Sequence, residues 1–191
     1  MQLMVRKTDT LGSIAEQVGP LKILRMRPFL TLATLLILTV ASAAAEFGPG
    51  SKVAFLGLVF IDTSTEGAYN GRRADEAARL TILEQLVEDR FRKEGMVVMD
   101  LAPIAETLDN TANPANCYGC EVRMAQKLGA DFVLVGVVQK VSNLILSMNL
   151  VMREVATGQV VRARVVDIRS NTDKSWIRGM NYILKTAFFK E

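Results

Sequence analysis

The sequence predicts an α/β domain in a three-layer-type arrangement: a mixed sheet of about five strands, three parallel plus a C-terminal antiparallel hairpin, with flanking helices. Three observations carry this expectation. Residues 52–61 and 131–141 are nearly continuous apolar runs, the pattern of strands covered on both faces. Between them lie stretches whose apolar residues recur at helical spacing. After them, residues 143–155 alternate strictly, and a Thr157-Gly158 turn returns the chain as a second strand.

The elements follow in order. Glu46 to Ser51 reads as a linker from its Gly and Pro content. The first strand, 52–61, opens into a polar loop, Asp62 to Gly71, at its carboxyl end. A helix over 72–94 carries the stripe Leu80, Leu83, Val87 and Phe91, widened by Ala78, Ile82 and Leu86, and Gly95 stops it. Residues 96–99 form a short second strand. A short helix over 101–108 has Pro103 in its first turn, and 109–116 is a loop. Cys117-Tyr118-Gly119-Cys120 leads into a helix ending at Gly129. In the hairpin, Leu144, Leu146, Met148, Leu150 and Met152 face the core, with Ser147, Asn149 and Arg153 opposite. Asn171, Thr172 and Asp173 offer caps for a last helix with the stripe Trp176, Ile177, Met180, Ile183, Leu184, Ala187 and Phe188. Right-handed crossovers make the first three strands parallel.

The domain is expected to occupy 52–191, preceded by a leader over 1–45. Within it, 26–45 reads as the signal proper: Met26-Arg27-Pro28, an apolar run from Phe29 to Val40, then Ala-rich residues through Ala45. A basic start, a short apolar core and small residues at the −1 and −3 positions fit cleavage near Ala43 or Ala45. The seventeen residues from Phe29 to Ala45 are short for a membrane span. Translation starts at Met1 or Met26. The reading is a periplasmic protein with no stable membrane insertion after cleavage.

Composition narrows the function classes. The isoelectric point near 9.0 suggests a polyanion binder. However, of 23 basic and 20 acidic residues, five and two lie in 1–45, which leaves 18 of each. A neutral domain has no bulk electrostatic reason to hold nucleic acid. Histidine is absent, which removes the commonest general base and the commonest metal ligand. No catalytic residue, metal site or cofactor is assigned.

Three sets of residues remain as candidates. Cys117 and Cys120 stand where a helix begins, an arrangement used by redox enzymes because the helix dipole acidifies a thiol. In an oxidising compartment the same spacing gives a local structural disulfide, the reading preferred here. Asp62 and Glu66, with Asp75 and Glu76 beyond them, surround the loop after the first strand, where open α/β sheets bind ligands; the plainer reading is a solvated loop with acidic residues at a helix start. Arg153, Arg162 and Arg164 alternate on the hairpin and form a candidate partner-binding patch on a terminal strand open to strand addition.

Four stretches carry a resemblance: residues 52–60, Gly119-Cys120 through Asp131, 135–143 and 167–176. They look like a family of uncharacterised secreted proteobacterial proteins, across residues 50–189. More distantly, the Leu128-Gly129-Ala130-Asp131 step before a Val-x-Gly strand and the Thr157-Gly158 turn resemble the TolB N-terminal domain and the curli-secretion protein CsgG. TolB's propeller and CsgG's pore-forming strands are missing, so only the domain type carries over. The resemblance implies a non-catalytic envelope protein that binds other proteins, accessory to a periplasmic quinoprotein dehydrogenase system. A thiol-disulfide oxidoreductase using Cys117 and Cys120, or a small-ligand carrier, are the alternatives.

Overall fold

A computed structural model describes residues 46–190. The leader, its signal, both cleavage positions and both start codons lie outside the described residues.

Five strands form one sheet: β1 (Lys52–Asp62), β2 (Val97–Val98), β3 (Phe132–Lys140), β4 (Ile145–Glu154) and β5 (Val160–Arg169). Their spatial order is β2-β1-β3-β4-β5. β1 runs parallel to β2 and β3, while β3–β4 and β4–β5 are antiparallel. The mixed sheet predicted from the sequence is the sheet observed. The helices are α1 (Thr65–Asn70), α2 (Ala74–Lys93), α3 (Ala105–Asp109), α4 (Cys120–Lys127) and α5 (Asp173–Ile183), the last continued by a π-type turn to Phe188. The stretch read as the loop 62–71 contains α1, because Ser64 caps it and accepts the Gly67 N–H.

Each face of the sheet has its own core. On one face Leu83, Val87 and Phe91 of α2 and Trp176, Met180 and Ile183 of α5 pack on the sheet. They meet Phe55, Leu58, Leu134, Val138 and the β4 series Leu146, Met148, Leu150 and Met152. On the other face Met124 and Ala125 of α4, with Ile104, cover Ala54, Leu56, Val133 and Val135. A fully buried side chain of this size contributes about 1.5–3 kcal/mol through lost apolar exposure, so the β4 row alone anchors the hairpin. Leu144 departs from the predicted alternation: it precedes β4 and is exposed. Ile82 is also exposed, which narrows the α2 stripe.

The segment read as a linker is packed. Phe47 sits against Phe91, Phe132 and Phe189 with centroids 5.6–6.2 Å apart. Its aromatic burial outweighs the local Gly and Pro content.

β1 is not regular. Its pairing with β3 shifts between Phe55 and Leu58, and Gly57 at this bulge has φ +87, a conformation that strains any side-chain-bearing residue. The Leu58 N–H freed from regular pairing is taken by Glu84 Oε1 of α2 at 2.9 Å.

Candidate functional site

The carboxyl ends of β1 and β3 hold a buried polar cluster that no single sequence segment announces. Lys140, the last residue of β3, is fully buried and is met by three carboxylates. Its Nζ lies 2.8 Å from Glu76, 3.4 Å from Asp62 and 3.7 Å from Glu66. Glu76, in the first turn of α2, is 1% exposed. Its Oε1 also accepts from Asn171 Nδ2 at 2.7 Å, and Asn171 Oδ1 accepts the Trp176 indole N–H at 2.9 Å. Arg79 then ties α2 to Asp173 of α5 at 2.7 Å. Asp62 accepts from Ser64 N–H and Oγ.

Burial pulls the Lys140 ammonium down, but Glu76 and Asp62 beside it prevail and hold its pKa above the usual lysine value. Burial likewise pushes Asp62 up, and the Ser64 hydrogen bonds and Lys140 overcome this to leave its carboxyl below the ordinary aspartate range. Both groups are therefore charged at neutral pH. Asp62 thus turns onto a buried lysine, while Glu66 reaches the same lysine at 3.7 Å from a half-exposed position and accepts from Asn143 Nδ2. The plain reading of Glu76 as a solvated helix-start acid is corrected, because the start of α2 is turned into the sheet where Lys140 and Asn171 pair it.

Cys117 and Cys120 are bonded to each other, with Cα atoms 5.4 Å apart. Tyr118 between them takes φ +53 and is 95% exposed. Cys117 Sγ lies 3.2 Å from Glu121 Oε2, and the other Glu121 oxygen pairs with Arg153 Nε at 3.3 Å. The two sulfurs and Glu121 form a metal-type grouping, but the disulfide consumes both thiolates that a metal needs. A cleft of about 460 Å³ lies beside this corner, lined by Glu121, Arg123, Arg153 and Thr157 among others.

The three hairpin arginines do not share a patch. Arg153 leans toward Glu121 on the α4 face. Arg162 and Arg164 pair across the strands with Met152 and Leu150, which points them to the α5 face. The cause is a bulge: pairing shifts between Met152 and Arg153, so Val161 is an extra residue and the β5 alternation changes phase. Arg162 lies over the Phe47 ring, and Arg164 donates to the Tyr182 hydroxyl at 3.2 Å.

β5 ends the sheet. Nine of its ten residues, all but the bulged Val161, pair with β4 on one side, and the strand pairs with no other among the described residues. Val160 and Val165 are exposed, the latter 63%.

A protein-family model matches residues 51–188, nearly all of the described chain, and its description is a protein of unknown function (DUF2380). The chain belongs to this family, DUF3280. No curated protein matches it. Among solved structures, this DUF3280 chain is similar to the LpoB C-terminal domain from Salmonella enterica. The two share 14% identity with a TM-score of 0.48, over 66% of this chain and 88% of that one. It is also similar to the lipoprotein GNA1162 from Neisseria meningitidis, at 14% identity and a TM-score of 0.45, over 64% and 83% of the two chains. TolB from Acinetobacter baumannii gives 13% identity and a TM-score of 0.34, over 69% of this chain and 26% of that one. At these values no activity or partner passes from those proteins to the DUF3280 chain. Among the described residues no helix is long and apolar enough to cross a membrane.

Sequence reasoning missed Lys140, Asn171 and the pairing of Glu76. One signal was available for Lys140. Period two from Leu134 through Val138 places residue 140 on the same inward face.

Proposed function

We propose that the mature domain is a non-catalytic accessory or adaptor protein of the periplasm, acting by binding another envelope protein through the β5 side of its sheet. The observation that carries this reading is the ten-residue β5 at the end of the sheet, whose outer edge pairs with no strand among the described residues and beside which Val160 and Val165 are exposed. An open edge of this length offers a row of backbone donors and acceptors, and strand addition is a standard way to use one. The Lys140 cluster supports the same reading from the other side. It locks α2, α5 and the β1 and β3 ends together with its charges mutually engaged, so it acts as a clamp rather than a reaction centre. The partner system proposed is a periplasmic quinoprotein dehydrogenase.

The test is site-specific photocrosslinking in cells expressing the full chain with its own leader. A crosslinking residue at Val165 is expected to capture an envelope protein, and one at exposed Asp89 on α2 is not. Equal capture at both positions, or capture at neither, overturns the proposal. Recovery of dehydrogenase peptides from the Val165 product supports the finer partner assignment, and their absence refutes it.

A further inference from the structure

The balance of 18 basic and 18 acidic residues over 46–191 conceals a local imbalance along β5. Two clefts follow this strand on the α5 face. One, of about 520 Å³, lies between residues 161–164 and the turn after α5. The other, of about 480 Å³, lies between residues 166–169 and α5. Between them they are lined by Arg162, Arg164, Arg169, Arg178 and Lys190, against one carboxylate, Asp167; the strand register places the Asp167 and Arg169 side chains with Val165 on the opposite face, so Arg162, Arg164, Arg178 and Lys190 supply the charge on the α5 side. Among the described residues none of these five cations is within salt-bridge distance of a carboxylate, whereas Arg73, Arg79, Arg90, Arg92, Lys140 and Arg153 all are.

The hydrogen-bond phase of β5 is fixed at its end. Ser170 N–H donates to Leu144 O, so the even-numbered residues from 162 to 168 direct their backbone groups at β4. The N–H and C=O of Ala163, Val165, Asp167 and Arg169 therefore point outward from the sheet. A strand laid on this edge places alternate side chains over Arg162 and Arg164 on the α5 face. The side chains between them fall beside Ala163 and Val165 on the other face.

We infer that the β5 edge receives an extended segment of a partner protein in which acidic and apolar residues alternate, added as a sixth strand with its acidic side chains in the basic clefts. This rests on the adaptor reading and specifies the chemistry of the partner. A second copy of this chain fits poorly, because pairing β5 with itself brings the two arginine rows together. A purely electrostatic polyanion would leave the outward backbone groups and the Val165 side unused.

The experiment measures fluorescence anisotropy of labelled eight-residue peptides with the mature protein. The peptides alternate Glu-Val, Gln-Val or Lys-Val, and polyglutamate serves as an unpatterned anion. Glu-Val is expected to bind tightest. The Arg162→Glu/Arg164→Glu variant is expected to weaken it by about tenfold or more, with the loss shrinking at high salt. Val165→Pro, which removes an outward N–H without touching the β4 ladder, is expected to weaken it comparably. Circular dichroism checks that both variants fold. Equal binding of Gln-Val or polyglutamate, indifference to either variant, or concentration-dependent dimers blocked by Val165→Pro would each overturn the inference. A neutral or basic segment crosslinked at Val165 would also overturn it while leaving the adaptor reading intact.

Discussion

Lys140 Nζ and Glu76 Oε1 lie 2.8 Å apart, and neither residue exposes more than 1% of its surface. Two charges from β3 and α2 are thus withdrawn from water together, and Asn171 Nδ2 donates a further hydrogen bond to Glu76. Taking each charge out of water costs several kcal/mol, so the pair is stable only while both members are present.

Lys140→Met should therefore destabilise the domain by about 3–5 kcal/mol, because it leaves Glu76 buried without a counter-charge. The double variant Lys140→Met/Glu76→Leu should recover most of that loss. Urea unfolding of the single and double variants measures both, and a double variant as unstable as the single one would refute the account.

The same cluster sets the pH range of stability. Asp62 titrates below its unfolded value in the folded state, so it stabilises above that value, and this stability is lost as pH falls through the lower, folded pKa. Lys140 titrates above 10.5 when folded, so its contribution is complete below that value and disappears as pH rises through the folded pKa. Stability should be flat across neutral pH and fall at both ends. Asp62→Asn should blunt the acid limb and leave the alkaline limb in place, read from melting temperature against pH.

Glu84 behaves oppositely. Burial raises its pKa, the Leu58 N–H lowers it in part, and Glu88 raises it further. Glu84→Gln keeps an oxygen for Leu58 and removes the buried charge, so it should be neutral or slightly stabilising near pH 7. Glu84→Leu orphans the Leu58 N–H at the bulge and should cost about 1–3 kcal/mol. Thermal unfolding of the two variants separates the hydrogen bond from the charge.

Within β4, Met148 is fully buried and Asn149 faces the other way, where its Oδ1 accepts the Val137 N–H at 2.9 Å. Met148→Asp should unfold the domain, since it buries an unpaired charge. Asn149→Asp retains the acceptor and should be nearly neutral. Equal losses in melting temperature would mean the faces are misassigned.

The sheet was legible because its signals are local. The alternation from Leu146 to Met152 and the helical stripe from Trp176 to Phe188 each lie within one segment, and each stripe is buried where its period places it, with Ile177 and Ala187 at the margin. The Lys140 cluster was not legible in the same way, because residues 62, 76, 140 and 171 meet only after two crossovers and the C-terminal hairpin bring the strand ends together. A charged residue at a strand end ordinarily reads as solvated. The arginine rows were misread for a smaller reason, since one extra residue at Val161 reverses the phase of β5 and no pattern in the sequence marks it.

The Cys117–Cys120 bond separates the adaptor from the oxidoreductase reading. It closes a very short loop, so chain-entropy reasoning gives it a stabilisation on the order of 2 kcal/mol. The double Cys→Ser variant should therefore fold with a slightly lower midpoint. Glu121 Oε2 stands 3.2 Å from Cys117 Sγ in the oxidised protein. The reduced protein should fail to reduce insulin at a rate above free dithiol. Rapid insulin reduction abolished by Cys117→Ser would overturn the structural assignment, make the pair a redox centre and replace the adaptor reading with an enzymatic one.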